Sequence, residues 1–428
     1  MPTFNIDQLY NYFTQVTGVS TDTRAVARGN LFFALKGGNF NGNEFALEAI
    51  AKGAGWAVVD EEKYANHEQC ILVPNALEAL QELAKYYRQQ FDIPVLAVTG
   101  SNGKTTTKEL CQAVLSQGMK AYSTKGNFNN HIGVPLTLLA MPADTEIAIV
   151  ELGDNHIGEV AELCKIAQPT HGLVTNIGKD HIEGFGSFEG NIRAKSEIFQ
   201  YLREHGGIPL ISSKDPLLQP MGRRFSQPIW YGQQGDFCYL ELLEQKPFVQ
   251  YQDEAGTAVA THLIGTYNFE NIQTAYAVGR YFGLSPELIH RGIANYVPQN
   301  NRSQLVEQNG HLIILDAYNA NPSSVEVALE SLHSLSTELP KVAILGDMLE
   351  LGSISEAEHQ AIAQQADQLP IEPIFCGKRF LQAKLPHQKG FETREALENH
   401  LKENPLKPSA ILVKGSRGMA LEKLLAVL

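Results

Sequence analysis

One stretch limits the fold more than any other: AVTGSNGKTTTKEL, residues 97–110. An apolar run that begins at Val95 meets two glycines, a lysine and three threonines, and a helix-compatible segment follows. A short, wholly apolar run reads as a strand buried on both faces, as in a parallel sheet covered by helices. Backbone N–H groups of a glycine-rich turn, together with a helix N-terminus, form an anion site, and a lysine there can neutralise β and γ phosphates. Gly100, Ser101, Asn102, Gly103, Lys104, Thr105 and Thr106 fit this description. The commoner pattern G-x-x-x-x-G-K-[ST] would need glycine at position 98, where Val98 stands, so the motif is the shorter G-x-x-G-K-T-T. Thr105 is the expected Mg2+ ligand, because a hard cation takes oxygen donors.

The rest of the chain arranges itself around that unit. Residues 1–90 mix short strands and helices, and STDTRAVARGNLFFALKGGNFNG supplies turn-forming Gly and Asn. Near residue 91 the texture changes, and apolar runs at 146–152, 171–177 and 207–212 alternate with helical periodicity. Segment 225–262 is less regular and is expected as an antiparallel extension, followed by a helix with Asn268 and Asn271 near its start. A second series, with strands at 311–317, 341–347, 371–377 and 409–415, gives four strand and helix pairs of a small doubly wound unit. The expected class is therefore α/β in three domains: a small N-terminal unit over 1–90, a central parallel-sheet ATPase-like domain over 91–298, and a C-terminal Rossmann-like domain over 299–428.

Composition narrows the partners. With 34 Lys+Arg against 47 Asp+Glu the net charge is −13, which disfavours nucleic acid or an anionic membrane as the main partner. The start MPTFNIDQLYNYF has no basic region and no apolar core of a leader, and no continuous apolar run reaches about 18 residues. Five scattered cysteines without C-x-x-C fit reduced thiols. A cytoplasmic monomer acting on small molecules is expected. Groups just past strand ends converge on the crevice of an open α/β sheet, so Glu151 and His181 are candidates to meet the phosphates held at Gly100.

The motifs TGSNGKTT, NFNNHIGVPLTLL, VELG, TNIGKDHIEGFGS, AKSEIF, GTYNFENIQTA, NNRSQ, DAYNANPSS and LGDMLELG follow one another along essentially the whole chain. In that order they resemble the Mur ligases, ATP-dependent amide-forming enzymes that build the peptidoglycan stem peptide. DAYNANP, LGDMLELG and STDTRAVARGNLFFALKG resemble the member that adds D-Ala-D-Ala to UDP-N-acetylmuramoyl-tripeptide (UDP-MurNAc-tripeptide). The D-N-P-R stretch usual in the diaminopimelate-adding sister enzyme is absent. Alternatives are another ligase of this fold, such as a folylpolyglutamate synthase, and a P-loop regulatory protein, which would not need the third domain.

The resemblance implies roles at matching positions. Gly100 to Thr106 would bind ATP phosphates, with Lys104 on the β and γ groups. Thr105 and Glu151 would hold one Mg2+, and Glu151, His181 and Lys195 a second, Lys195 as a carbamate whose oxygens suit a hard cation. Asn268 and Asn271 would contact the adenine side, and Arg302 and Asp316 would close on the nucleotide. Thr21, Asp22, Thr23 and Arg24 would receive the UDP-sugar, and Asn319 and Asn321 would face the dipeptide. Two stretches depart from the family pattern: Ser101 stands where threonine is common, and ELGDNHIGEV is unusual around Asp154 to His156. For the base that takes the amine proton, His131, His156 and His359 are candidates by type, with His359 expected on the surface of a polar helix.

Overall fold

The computed structural model describes residues 5–245, 247–299 and 301–428, and Asn300 of the NNRSQ motif lies outside them. Its centre is a six-stranded parallel sheet in the order Ile229–Tyr231, Ile208–Ser212, His171–Val174, Val95–Thr99, Ile147–Glu151, Ala121–Ser123. Val95–Thr99 is buried at every residue, as expected of a strand with helices on both faces. Its sheet neighbours come from later in the chain on both sides, with Val98 opposite Glu151 and Thr99 opposite Val174. Strand order reverses here, which opens a crevice at the carboxyl ends. The phosphate-loop turn enters that crevice.

The first sheet is also parallel, in the order Val19–Ser20, Leu31–Phe33, Trp56–Val59, Cys70–Leu72. Helix Ala76–Arg88 leads from it to the central sheet, and Asn75 caps its start by accepting from the N–H groups of Leu77 and Glu78. Its Leu80, Leu83 and Ala84 share one apolar core with Val95, Ala97 and Leu163 of the central unit. At its end the buried Arg88 donates to the carbonyls of Phe91, Ala167 and Gln168, which fixes the junction of the two units.

Two expectations about strands need correction. Segment 225–262 is not a simple antiparallel extension. Ile229–Tyr231 joins the central sheet in parallel, and Leu240–Gln245, Phe248–Asp253 and Ala258–Ile264 form a separate three-stranded antiparallel sheet. The third sheet has six strands rather than four: Gln304–Gln308, His311–Asp316, Ala410–Lys414, Lys341–Gly346, Glu372–Cys376, Lys389–Phe391. The first of these pairs antiparallel with His311–Asp316, and the others run parallel. Both added strands lie at sheet edges and are only partly buried, so they lack the continuous apolar runs that reveal the inner ones. Among the described residues no helix is long and apolar enough to cross a membrane.

Candidate active site

Helix Lys104–Leu115 starts immediately after Gly103, which has φ +80° and offers no side-chain cap. The first N–H groups of that helix therefore remain open to an anion. Glycine is needed at both turn positions. A Cβ on Gly100, at φ +139°, would lie 2.1 Å from Thr175 Oγ1, and one on Gly103 would lie 2.5 Å from Asn271 Oδ1. The Lys104 ammonium donates to the Gly100 carbonyl and arches over the turn. Desolvation and the neighbouring charge of Lys195 push its pKa down, against the pull of Asp180, Asp154 and Glu151.

The loop opens into a cleft of about 970 Å³ with walls from all three units. Ser101 to Thr106, Glu151, His181, Asn268, Asn271, Arg302, Asp316 and Asn319 all line it. Asn271 accepts from Thr107 Oγ1 at 3.0 Å and donates to Asn268 Oδ1 at 2.8 Å, so the expected adenine-side pair is a linked unit. Of the three histidines considered as bases, His131 lines the cleft and His156 and His359 do not. His359 is not a surface residue. It is fully buried, its Nε2 accepting from the Met348 N–H at 3.0 Å, and burial pushes its pKa down.

Glu151 ends its strand 1% exposed. One oxygen, Oε1, accepts from Thr105 Oγ1 at 3.1 Å and from Asn129 Nδ2 at 2.8 Å. The other, Oε2, is buried with no protein partner. An unpaired buried carboxylate oxygen next to a threonine hydroxyl suits a hard cation such as Mg2+. Of the second expected set, His181 lines the cleft with Glu151, and Lys195 lies outside its lining.

His181, at φ +48°, directs Nδ1 to Glu350 Oε2 of the third unit at 2.6 Å. Lys195 lies wholly buried beneath the loop, its ammonium 2.5 Å from Asp154 Oδ1 and 3.6 Å from Asp180 Oδ2. Asp180 Oδ1 in turn accepts from Ser101 Oγ and from Asn191 Nδ2. Burial opposes ionisation of Asp180, yet the charges of Lys195 and Lys104 and the Ser101 hydroxyl hold it below the usual carboxylate range. Asp180 and Asn191 are residues the sequence reading missed. Asp180 stands beside His181 in TNIGKDHIEGFGS, and nothing local marks it as a buried neighbour of Lys195.

The third unit closes the cleft. Asn321 caps helix Pro322–Ser334 in a reciprocal capping box with Ser324, and its Nδ2 donates to Asn102 Oδ1 at 2.8 Å. Asp316 pairs with the buried Lys414 at 2.6 Å, the two standing opposite each other at the ends of adjacent strands. Arg302 stacks on Tyr318 with 3.7 Å between guanidinium carbon and ring centre. Lys414 and Tyr318 were also missed. The four first-unit candidates are elsewhere: Thr21, Asp22, Thr23 and Arg24 do not line this cleft. Asp22 binds its own neighbour Arg24, whose side-chain and backbone hydrogen bonds hold the carboxyl at about 2.

Comparison with known proteins places this geometry. Three family descriptions match in order: Mur ligase family, catalytic domain, over residues 15–88; Mur ligase middle domain over 98–279; and Mur ligase, glutamate ligase domain, over 301–417. A Bacillus subtilis protein named UDP-N-acetylmuramoyl-tripeptide–D-alanyl-D-alanine ligase is 36% identical, over 96% of this chain and 93% of its own length. The crystal structure of MurF from Acinetobacter baumannii superposes with TM-score 0.86 at 30% identity, covering 99% of this chain and 98% of that one. MurF ligase from Thermotoga maritima in complex with ADP superposes with TM-score 0.85 at 26% identity, covering 97% of each. The phosphate loop, the three matched domains and nearly full-length relatives agree, and the chain belongs to the Mur ligase family.

Proposed function

We propose that this chain joins D-alanyl-D-alanine to UDP-N-acetylmuramoyl-tripeptide in a reaction driven by ATP, giving the pentapeptide precursor of peptidoglycan with ADP and phosphate. The observation that carries this is one cleft in which the phosphate loop, Glu151 and third-unit residues Arg302, Asp316 and Asn319 face a shared space. A phosphate loop alone serves many reactions. A complete third domain aimed at it suits the delivery of a second reactant. The name and near-complete match of the Bacillus subtilis relative support the substrate assignment.

The chemistry follows from a poor electrophile. A carboxylate attacked directly by an amine would have to expel oxide. Attack of the tripeptide carboxylate on the γ-phosphorus instead breaks the bond to ADP and leaves an acyl phosphate. The neutral amine of the dipeptide then adds to the acyl carbon, loses a proton and expels phosphate. Lys104 and the open helix N-terminus stabilise charge on the phosphoryl oxygens, where fixed electrostatics act most strongly. Of His131, His156 and His359, only His131 lines the cleft, which supports it as the group that takes the amine proton.

Thr105 and Glu151 would hold one Mg2+, which supplies further charge neutralisation at the phosphates. The fuller reading adds a second Mg2+ on Glu151, His181 and a carbamate of Lys195. The Lys195 side chain contacts Asp154 and Asp180, so a carbamate there would be a third anion whose charge the Mg2+ would have to offset. Native mass spectrometry with 13C-bicarbonate distinguishes the two by an acid-labile gain of CO2. Domain limits of 1–90, 91–298 and 299–428 are supported by the separate parallel sheet of the first unit and the separate six-stranded sheets of the second and third. A cytoplasmic monomer fits a consumer of ATP whose product supplies cell-wall growth, cell shape and division.

The test is product mass after incubation with ATP, Mg2+, UDP-MurNAc-tripeptide and D-Ala-D-Ala. A UDP-MurNAc-pentapeptide with one ADP per turnover is expected. ADP release without that product would overturn the ligase reading, and AMP release would overturn the acyl-phosphate route.

A further inference from the structure

Four residues after Lys104, on the same helix, Lys108 is buried with its side chain 2% exposed. Burying an ammonium is costly, and a methionine would fill the space without that cost. Charge pairing does not account for it. The carboxylate nearest to it, Glu109, is 3.7 Å away and accepts instead from the Tyr296 hydroxyl at 2.7 Å. Lys108 Nζ donates to the Thr124 carbonyl at 2.7 Å and reaches the Gly126 carbonyl at 3.5 Å. Residues 124–129 follow a strand but form no regular element themselves, and Gly126 turns there at φ +56°.

That segment holds Glu151 at two points. Thr124 Oγ1 accepts from the Glu151 N–H at 3.0 Å, and Asn129 Nδ2 donates to Glu151 Oε1 at 2.8 Å. With Oε1 occupied, Oε2 is left buried and without a partner. We infer that Lys108 is a positioning residue: it clamps the 124–126 carbonyls so that Asn129 and Thr124 orient the Glu151 carboxylate for its cation. This rests on the reading of Thr105 and Glu151 as cation ligands. Groups that orient a metal ligand typically change metal affinity by about 10–100-fold when removed.

The test is Mn2+ binding by the full chain in the presence of ADP, read as loss of the free-ion EPR signal, alongside a thermal melt. Lys108→Met and Asn129→Ala are each expected to weaken Mn2+ binding about tenfold or more, and the double variant no further than the weaker single variant. A merely structural Lys108 would lower the melting temperature without moving Mn2+ affinity. Wild-type affinity in folded Lys108→Met, or additive losses in the double variant, would overturn the inference. Should Lys108→Met not fold, Thr124→Val decides, since it keeps the carbonyl and removes the acceptor for the Glu151 N–H. Weaker Mn2+ binding supports the inference, and unchanged binding overturns it. Failure of the wild-type chain to take up Mn2+ would overturn the cation reading and this inference with it.

Discussion

Lys414→Met isolates the energetics of the third-domain wall. The Lys414 side chain is 3% exposed and its ammonium stands 2.6 Å from Asp316, which is 17% exposed. Lys414 also donates to the Asn319 carbonyl at 3.2 Å, and Asp316 accepts from the Ser303 N–H at 3.3 Å. Breaking a fully buried pair from one side costs about 3–5 kcal/mol, because the remaining charge is left without compensation. Asp316 retains some solvent and one backbone donor, so the expected loss is about 2–4 kcal/mol. For a unit of this size that is a fall of roughly 8–15 °C in the third-domain melting transition. Asp316→Asn with Lys414→Met removes both charges together and should recover most of the loss, leaving the double variant within about 1.5 kcal/mol of wild type. Scanning calorimetry on the four proteins of the cycle measures this. A double variant as unstable as the sum of the singles would refute the argument.

Three further outcomes follow from geometry. Gly103→Ala forces Cβ to within 2.5 Å of Asn271 Oδ1 at a left-handed φ, and should lower ADP affinity at least about tenfold by titration calorimetry, a left-handed non-glycine residue alone costing about 1–2 kcal/mol. Unchanged ADP binding would contradict the role given to that turn. Burial holds His171 at about 4, below the ordinary 6.5, so the unfolded chain takes up a proton in that window that the folded chain does not. Stability should therefore fall as pH drops from 6.5 towards 4, by up to about 3 kcal/mol at this site. Urea midpoints of His171→Gln should show that much less acid dependence, and parallel wild-type and variant curves would count against it. Glu350 is 59% exposed in its pair with His181, so Glu350→Ala should change stability by less than about 1 kcal/mol; a melting shift above about 5 °C would show that the pair carries more than a surface contact can.

How much could be seen in the chain beforehand depended on whether a residue's surroundings were local. Val95–Thr99, the two loop glycines and Glu151 were legible because a buried strand followed by a turn and a helix is written in consecutive residues. Lys108 was not, because a lysine four positions along a helix from Lys104 reads as solvated. Its burial comes from a segment 16–18 residues away folding over it. Lys414 has its partner 98 residues away across a strand pair, and nothing near it signals a counter-charge. His359 misled through its polar neighbours in SEAEHQAIAQ, where what decides its place is the Met348 amide needing an acceptor. His181 lines the cleft, but its contact with Glu350 depends on how two domains meet, which no local pattern encodes.

The hydrogen bond between Asn102 and Asn321 joins a residue of the phosphate loop to the cap of a third-domain helix. Any rearrangement of the loop around a nucleotide is thereby felt at the helix start, and any swing of the third domain is felt in the loop. Linkage makes such an effect equal in both directions. If nucleotide shifts the domain equilibrium by some factor, the domain's position must shift nucleotide affinity by the same factor. Asn321→Ala would then separate two quantities that this chain holds together: how tightly ADP is retained, and how freely the wall that delivers the second reactant can move.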